Sequence, residues 1–344
     1  MKQTAAMITL TVLVAVVIAG LVWWRNKSFE LSRGRASVTE TIIINNEVKE
    51  IMVTDGVKHS VSLEDILTGC PGRDCIPSID NPKFESVAGA ATWLAADDIG
   101  LALDYRGAKR FYPFRILVSH EIVNDTIPST SSGQASQRVL VSYCPLCFTA
   151  IVFDPVVEGE RAEFGVSGKL WNSNLLMYDR KTEDTLWSQV QGEAVVGPLT
   201  GTKLPILPSD VSKFGAWGAA NPNGKVLSRD TGRPLASYDS VPYGGDLTDI
   251  KPFFPYSNKD NRLEATDIVA AVTVGGAPKA YLMTAVQKAG VTTDVVGGVQ
   301  LRVEYVEQED AVRVFRADTN ERIPTIPAFW FSWVSTHPDT ELYK

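Results

Sequence analysis

The most conspicuous pattern in the chain is an unbroken apolar run near its start. Ala5 to Trp24 reads AAMITLTVLVAVVIAGLVWW, without a charge or a proline. At about 1.5 Å per residue a helix of this length reaches about 30 Å, the hydrocarbon thickness of a bilayer. Trp23 and Trp24 close it where indoles favour the headgroup region, and Arg25 and Lys27 follow. A cleaved signal peptide would have a shorter apolar region and a small-x-small site, and no clean one precedes the polar chain. The run therefore predicts a single-pass, uncleaved transmembrane anchor over residues 1–25, touching the membrane through residues 5–24. Lys2 is the only charge before it, and Arg25, Lys27, Arg33 and Arg35 follow it. Taken literally, the positive-inside rule leaves the body in the cytoplasm. Long domains translocate despite such a bias, however, and a short Met-Lys start resembles an export signal. The body is expected to be extracytoplasmic.

Beyond a polar stalk (26–60) with two β-type runs, Thr41–Asn45 and Val48–Val53, apolar and polar residues alternate in the manner of strands. The alternating runs are rich in Val, Ile, Thr and aromatics and cut by Gly, Pro, Asn and Asp. They predict strands at Gly100–Tyr105, Val139–Tyr143, Ala150–Asp154, Leu175–Tyr178, Ile268–Val274 and Leu301–Tyr305. Short helices are predicted at Ser62–Leu67, Ser86–Leu94 and Pro208–Trp217, and a self-solvating loop at 129–137. The fold class expected is mainly β (α+β), an ectodomain over 61–344 with a few short helices.

The same pattern repeats. Asp98–Ile127 lies on Asp267–Val296 at a constant offset of 169 without a gap, matching Asp98 to Asp267, Gly107 to Gly276, Tyr112 to Tyr281 and Asp125 to Asp294. Beyond a loop that is longer in the first copy, Val141-x-Tyr143 falls on Val303-x-Tyr305, and Val152-Phe153 on Val314-Phe315. Two copies of one β-rich unit are predicted, over about 98–154 and 267–316. They differ in their chemistry. The first carries His120, Cys144 and Cys147, and the second has Ala289, Val306 and Glu309 at those places.

Composition narrows the candidates further. The 344 residues hold only four cysteines and three histidines, so a thiol or metal site has few places to be. A net charge of −7 argues against a nucleic-acid-coating protein. There is no P-loop or dinucleotide fingerprint, and no nucleotide or flavin cofactor is indicated. Gly165-Val166-Ser167-Gly168-Lys169 misses the nucleophile elbow, and His120-Glu121 is followed by Asn124 where a zincin helix needs its second histidine. A catalytic role is accordingly not expected.

Cys70 and Cys75 bracket Pro-Gly-Arg-Asp, a tight turn, and read as a local disulfide of an exported chain. Tyr143-Cys144-Pro145-Leu146-Cys147 is the sharper motif, because two cysteines three apart around a turn can aim both sulfurs at one centre. Three readings stand side by side. One is a copper or zinc site with His120 as third ligand and Met177 as an additional thioether. Another is a thiol–disulfide exchange pair, without a thioredoxin-like βαβ context. Composition alone ranks the third, a plain structural disulfide, first. Arg115, Glu121, Asp125, Asp179 and Arg180 are candidates to line a polar cleft. Surface charge is the default against that, and the Asp179-Arg180-Lys181 stretch is most simply a hairpin turn.

His120-Glu121-Ile122-Val123-Asn124-Asp125 and the Cys-Pro-Leu-Cys segment, taken together, resemble the family known as domain of unknown function 3179. So do Phe164–Gly168, Leu176–Arg180, Leu186–Gln189, Gly192–Leu199, Phe329–Phe331 and His337–Glu341. The resemblance spans roughly residues 70–343. It implies an exported or membrane-anchored protein and carries no activity with it. Two departures stand out. Phe148 occupies a position where the family usually has glycine, which speaks against a knuckle needing a flexible φ there. Cys70 and Cys75 lie where glycine-type residues are expected. From these residues the expected function is a membrane-anchored soft-metal module through His120, Cys144 and Cys147. The alternatives are a thiol–disulfide accessory protein, or a non-catalytic subunit of a membrane-protein complex.

Overall fold

The computed structural model describes residues 37–44, 47–128, 135–240, 242–243 and 245–344. The Ala5–Trp24 run lies outside them, as does most of the Ser-rich loop. Among the described residues no helix is long and apolar enough to cross a membrane. The chain divides into two units, 1–60 and 61–344. In the first, β1 (Ser37–Ile44), β2 (Glu47–Thr54) and β3 (Val57–His59) form an antiparallel meander. Of the expected β-type runs, 41–44 falls inside β1 and 48–53 inside β2, and Asn45 lies outside the described residues.

The second unit is mainly β. It opens with β4 (Ile66–Thr68), β5 (Phe84–Ser86) and helix α1 (Val87–Ala90), whose N-terminus is capped by Ser86 accepting from Gly89 N at 3.1 Å. Then come β6 (Ile99–Tyr105), β7 (Ala108–Pro113), helix α2 (Phe114–Leu117), β8 (Ile122–Ile127), β9 (Gln137–Cys144) and β10 (Thr149–Phe153). A small hairpin, β11 (Val156–Val157) and β12 (Glu160–Arg161), leads to a meander of β13 (Phe164–Trp171), β14 (Asn174–Asp179), β15 (Leu186–Ser188) and β16 (Glu193–Val196). β17 (Ile206–Leu207), β18 (Ser209–Lys213), helix α3 (Phe214–Ala220) and β19 (Lys225–Leu227) follow. The last third holds β20 (Ile268–Val274), β21 (Ala277–Leu282), helix α4 (Met283–Ala289), β22 (Val291–Val296), β23 (Val299–Val306), β24 (Ala311–Arg316), β25 (Arg322–Ile323), β26 (Ile326–Phe329), helix α5 (Trp330–Thr336) and β27 (Glu341–Tyr343).

β6, β7, α2 and β8 recur as β20, β21, α4 and β22 at the same spacing, and the pairings recur with them. The order β18-β6-β7-β19 matches β26-β20-β21-β27, each with one antiparallel and one parallel outer strand. The β8-β9-β10 meander matches β22-β23-β24. In each copy a tyrosine clamps the third strand: Tyr112 donates to Asp125 at 2.7 Å, and Tyr281 to Asp294 at 3.1 Å. The likeness extends past what the sequence pattern suggests. α3 with Trp217, Asn221 and Pro222 corresponds to α5 with Trp333, His337 and Pro338, and both helices end with a backbone N–H bonded to the tryptophan carbonyl.

All three predicted helices differ from expectation: Ser86–Leu94 shortens to Val87–Ala90, with Ser86 ending β5. Ser62–Leu67 is a single 3₁₀ turn (Leu63–Asp65) running into β4, and the first half of 208–217 is strand β18, because Ser209–Lys213 pairs with β6. Tertiary pairing overrides a local pattern that also fits a helix. The largest core gathers β8–β10, β13–β15 and α5 around Trp187, Trp330 and Trp333, and both Cys144 and Cys147 lie inside it.

Candidate functional site

β9 carries the chain into the main core and stops at Cys144. Pro145 opens a 3₁₀ turn through Cys147, and β10 resumes at Thr149, directly opposite Cys144 in register. Proline suits the first position, since its φ is preset and its missing donor is not needed there. The turn closes on Phe148 with φ 55° and ψ 22°, the left-handed conformation that glycine adopts freely. The expectation that a bulky side chain here would deny the turn that conformation is corrected. Packing of Phe148 against Phe114 (5.6 Å) and Phe329 (5.4 Å) holds a backbone state that costs of order ~1–2 kcal/mol.

Both thiols are free and buried. The Cys147 sulfur accepts from the Asn174 amide at 2.9 Å and from the Thr149 hydroxyl at 3.1 Å; as a thiol it also reaches Cys144 O at 3.6 Å, while the Cys144 thiol reaches Ser173 O at 3.9 Å. Burial alone would raise its pKa; the accepted hydrogen bonds outweigh burial and hold it below the ordinary thiol range. Cys144 moves the other way. Burial pushes it well up, and the nearby Cys147 and Glu121 charges push it further. The pair is thus split into one sulfur that favours the anion and one that keeps its proton.

The amide of Asn174 is itself fixed. Its oxygen accepts from Val190 N at 3.1 Å, so its NH₂ must face Cys147 and the Gln189 oxygen, 3.0 Å away. Gln189 in turn donates to Ser142 Oγ (3.1 Å) and Thr149 O (3.0 Å), and Ser142 donates to Ile151 O (3.1 Å). Ser142, Thr149, Asn174 and Gln189 were not legible as site residues. The signal available was the polarity of Ser142, Thr149 and Asn174 within otherwise apolar strand runs, and of Gln189 just past one.

His120 sits elsewhere than expected. Its Nδ1 meets Pro77 O at 2.7 Å and its Nε2 meets the Tyr238 hydroxyl at 2.6 Å, so both ring nitrogens are engaged away from the thiols. Burial lowers its pKa. Met177 is packed in the main core. Among the described residues no three His, Cys, Asp or Glu side chains are grouped to hold a metal ion.

The five polar-cleft candidates do not converge. Arg115 pairs with Asp98 (2.9 Å) and Asp125 accepts from Tyr112. Asp179 accepts from Trp187 Nε1 (2.9 Å) and Thr182 Oγ1 (2.8 Å), and Arg180 binds Asp80 (2.8 Å) and Ser78 (2.7 Å). Only Glu121 of the five lines a cleft of about 270 Å³ walled by Leu146, Leu170, Leu175 and Phe254. Glu121 follows His120 in a left-handed conformation, φ 59°, and its carbonyl accepts from Tyr143 N at 2.8 Å. Burial, with the Cys147 charge behind it, moves its carboxyl up to about 8. Cys70 and Cys75 form a disulfide, as expected, with Cα atoms 6.2 Å apart. Their loop rests on β13 at Gly168, where φ is +75° and a Cβ would lie 2.5 Å from Gly72 O.

The family described as protein of unknown function (DUF3179) matches residues 73–340. The chain belongs to that family. The match covers the second unit almost entirely, so the two-copy scaffold, the Cys-Pro-Leu-Cys turn and the Asn174–Gln189 network all fall within the DUF3179 region. No curated protein and no solved structure matches the chain. Most of the family-like stretches do structural work here. Asn124 ties β8 to β13 through Phe164 N and O (both 2.9 Å), Asp179 closes the turn before β15, and His337 stacks on Trp333 with ring centres 3.7 Å apart.

Proposed function

We propose that this DUF3179 protein is a dithiol–disulfide redox module, with Cys147 as the ionised thiol and Cys144 as its protonated partner. The observation that carries this is the Cys147 sulfur accepting from both Asn174 and Thr149 inside the core. Fixed donors around one sulfur of a Cys-x-x-Cys pair favour its thiolate, the form that attacks a disulfide. Because both sulfurs are buried, the partner is a small disulfide rather than a protein surface. Cys147 attacks one sulfur of that disulfide and expels the other as a thiolate, leaving a mixed disulfide. Cys144 then loses its proton, attacks the Cys147 sulfur and releases the second thiolate. The two cysteines lose two electrons and two protons, and the small disulfide becomes two thiols.

The module would act outside the cytoplasm on the single-pass anchor read from Ala5–Trp24. The Cys70–Cys75 disulfide suits an oxidising compartment. We take the recurring strand order to reflect an internal duplication in which one copy acquired the thiols. Soft-metal binding is the second reading. It is favoured by two free, buried sulfurs on one tight turn, and it would use copper or zinc without His120.

Incubating the protein with oxidised glutathione separates the two. The Cys144→Ser variant should trap a glutathione adduct on Cys147, and the wild type should resolve to a Cys144–Cys147 disulfide. Absence of any adduct, together with stoichiometric copper or zinc that is lost in Cys144→Ser, would overturn the redox reading in favour of the metal.

A further inference from the structure

The two copies of the scaffold differ at one backbone position in an informative way. Gly290 ends α4 with φ 73°, and glycine is the residue expected where φ is positive. Its counterpart after α2 is Glu121, with φ 59°. Each carbonyl accepts from the matching tyrosine N–H, Tyr143 at 2.8 Å and Tyr305 at 2.7 Å, so both turns have a positive φ at the same position and close on the same backbone hydrogen bond. The first copy therefore holds a carboxyl where backbone geometry favours glycine. Glu121 as a residue is only 7% exposed, and its carboxyl has no side-chain hydrogen bond or ion pair among the described residues. An unpartnered buried carboxyl in a strained backbone is costly twice over, and nothing within the fold is gained by it.

Its surroundings indicate what it is for. Glu121 reaches the wall of the 270 Å³ cleft, whose apolar lining includes Leu146, Val166, Leu170, Leu175, Phe253 and Phe254. The titratable groups facing it are Cys144 and Cys147 in the turn, Tyr143 at the end of β9 and Tyr243 from the long loop. Lys169 also lines the cleft, and its ammonium donates to Thr68 Oγ1 at 2.8 Å. Every group that interacts electrostatically with Glu121 is neutral or anionic, and this favours the protonated acid, a hydrogen-bond donor.

We infer that this cleft binds a small, mostly apolar molecule carrying one hydrogen-bond acceptor, such as a carbonyl oxygen, to which Glu121 donates. The site does not depend on redox activity of the thiols.

Three probes of one size test it: toluene (apolar only), acetophenone (apolar with an acceptor) and benzylamine (apolar with a cation). Calorimetric titration of the protein at pH 6.5 should give acetophenone about tenfold tighter than toluene, the scale of one neutral hydrogen bond. That preference should fade above about pH 8, as the acid ionises. Glu121→Gln keeps an N–H donor without a proton to lose, so it should keep the preference and lose its pH dependence. Glu121→Gly, which reproduces the second copy, should fold and bind toluene and acetophenone alike. A thermal unfolding transition in each variant separates loss of the site from loss of the fold. Benzylamine binding tightest, a preference for acetophenone that survives in Glu121→Gly, or no binding of any probe to the folded protein would each overturn the inference.

Discussion

Glu121 and Cys147 show how burial acts differently on two acids a few ångströms from the same turn. Cys147 is surrounded by donors and its acidity rises; Glu121 has none and its acidity falls. For Glu121 the linkage has a definite sign. An unfolded carboxyl ionises near pH 4.5, and this one ionises at about 8, so the folded state alone keeps the proton in between. Stability from this group is complete below pH 4.5 and is lost progressively up to about pH 8, at about 1.4 kcal/mol per pH unit. Urea unfolding of wild type and Glu121→Gln across that window should diverge with this slope, and parallel curves would contradict it. For Cys147, replacing Asn174 by Ala removes a donor. The ultraviolet thiolate absorbance should then titrate at higher pH than in wild type, whereas an unchanged titration would mean Asn174 does not polarise the sulfur. Little of this was legible in the sequence. Asn174, at the start of β14, and Gln189, just after β15, lie 27 and 42 positions beyond Cys147, and no local spacing ties them to it. His120 was misleading for the complementary reason: it is next to Glu121 in the chain, yet its ring points to Pro77 and Tyr238.

At the level of elements, what could be read depended on how local the constraint was. β20 matches the alternation in Ile268–Val274 residue for residue, and β6, β9, β10, β14 and β23 differ from their patterns by one or two positions. The constant offset between the copies was visible because no insertion separates β6 from β8 or β20 from β22. The match of α3 to α5 was hidden, since the β11–β16 segment intervenes in the first copy and only a short link precedes α5 in the second. The Phe-x-x-Trp and Trp-x-x-Trp starts of these helices, each followed four residues on by Asn-Pro or His-Pro, were the available clue. Asp179 looked like a surface charge, and its role appears only once Trp187 Nε1 and the Thr182 hydroxyl and N–H converge on it. Asp179→Ala strands a buried indole N–H and opens the turn between β14 and β15. Chemical denaturation should show a loss of about 2–4 kcal/mol, and a loss below 0.5 kcal/mol would contradict the role assigned to it.

For the whole molecule, two copies of one scaffold divide the labour. Both keep the Tyr–Asp clamp; the second has a glycine at the turn, while the first carries both thiols and, at that turn, the Glu121 carboxyl that reaches a cleft walled mainly by β13, β14 and the loop around Phe253. The anchor expected from Ala5–Trp24 is tested at this scale too. The full chain should stay with membranes through alkaline extraction, and a chain starting at residue 37 should be released; recovery of both in the soluble fraction would remove the anchor from the account. The central claim is that Cys144 and Cys147 form a working redox couple. The most direct measurement is equilibration of the protein in graded glutathione buffers, followed by mass analysis of the Cys144–Cys147 peptide. A working couple loses two hydrogens reversibly with a midpoint between about −270 and −120 mV, the range of exchange-active pairs. Thiols that stay reduced at every poise, or a disulfide that persists below about −300 mV as structural ones do, would contradict it.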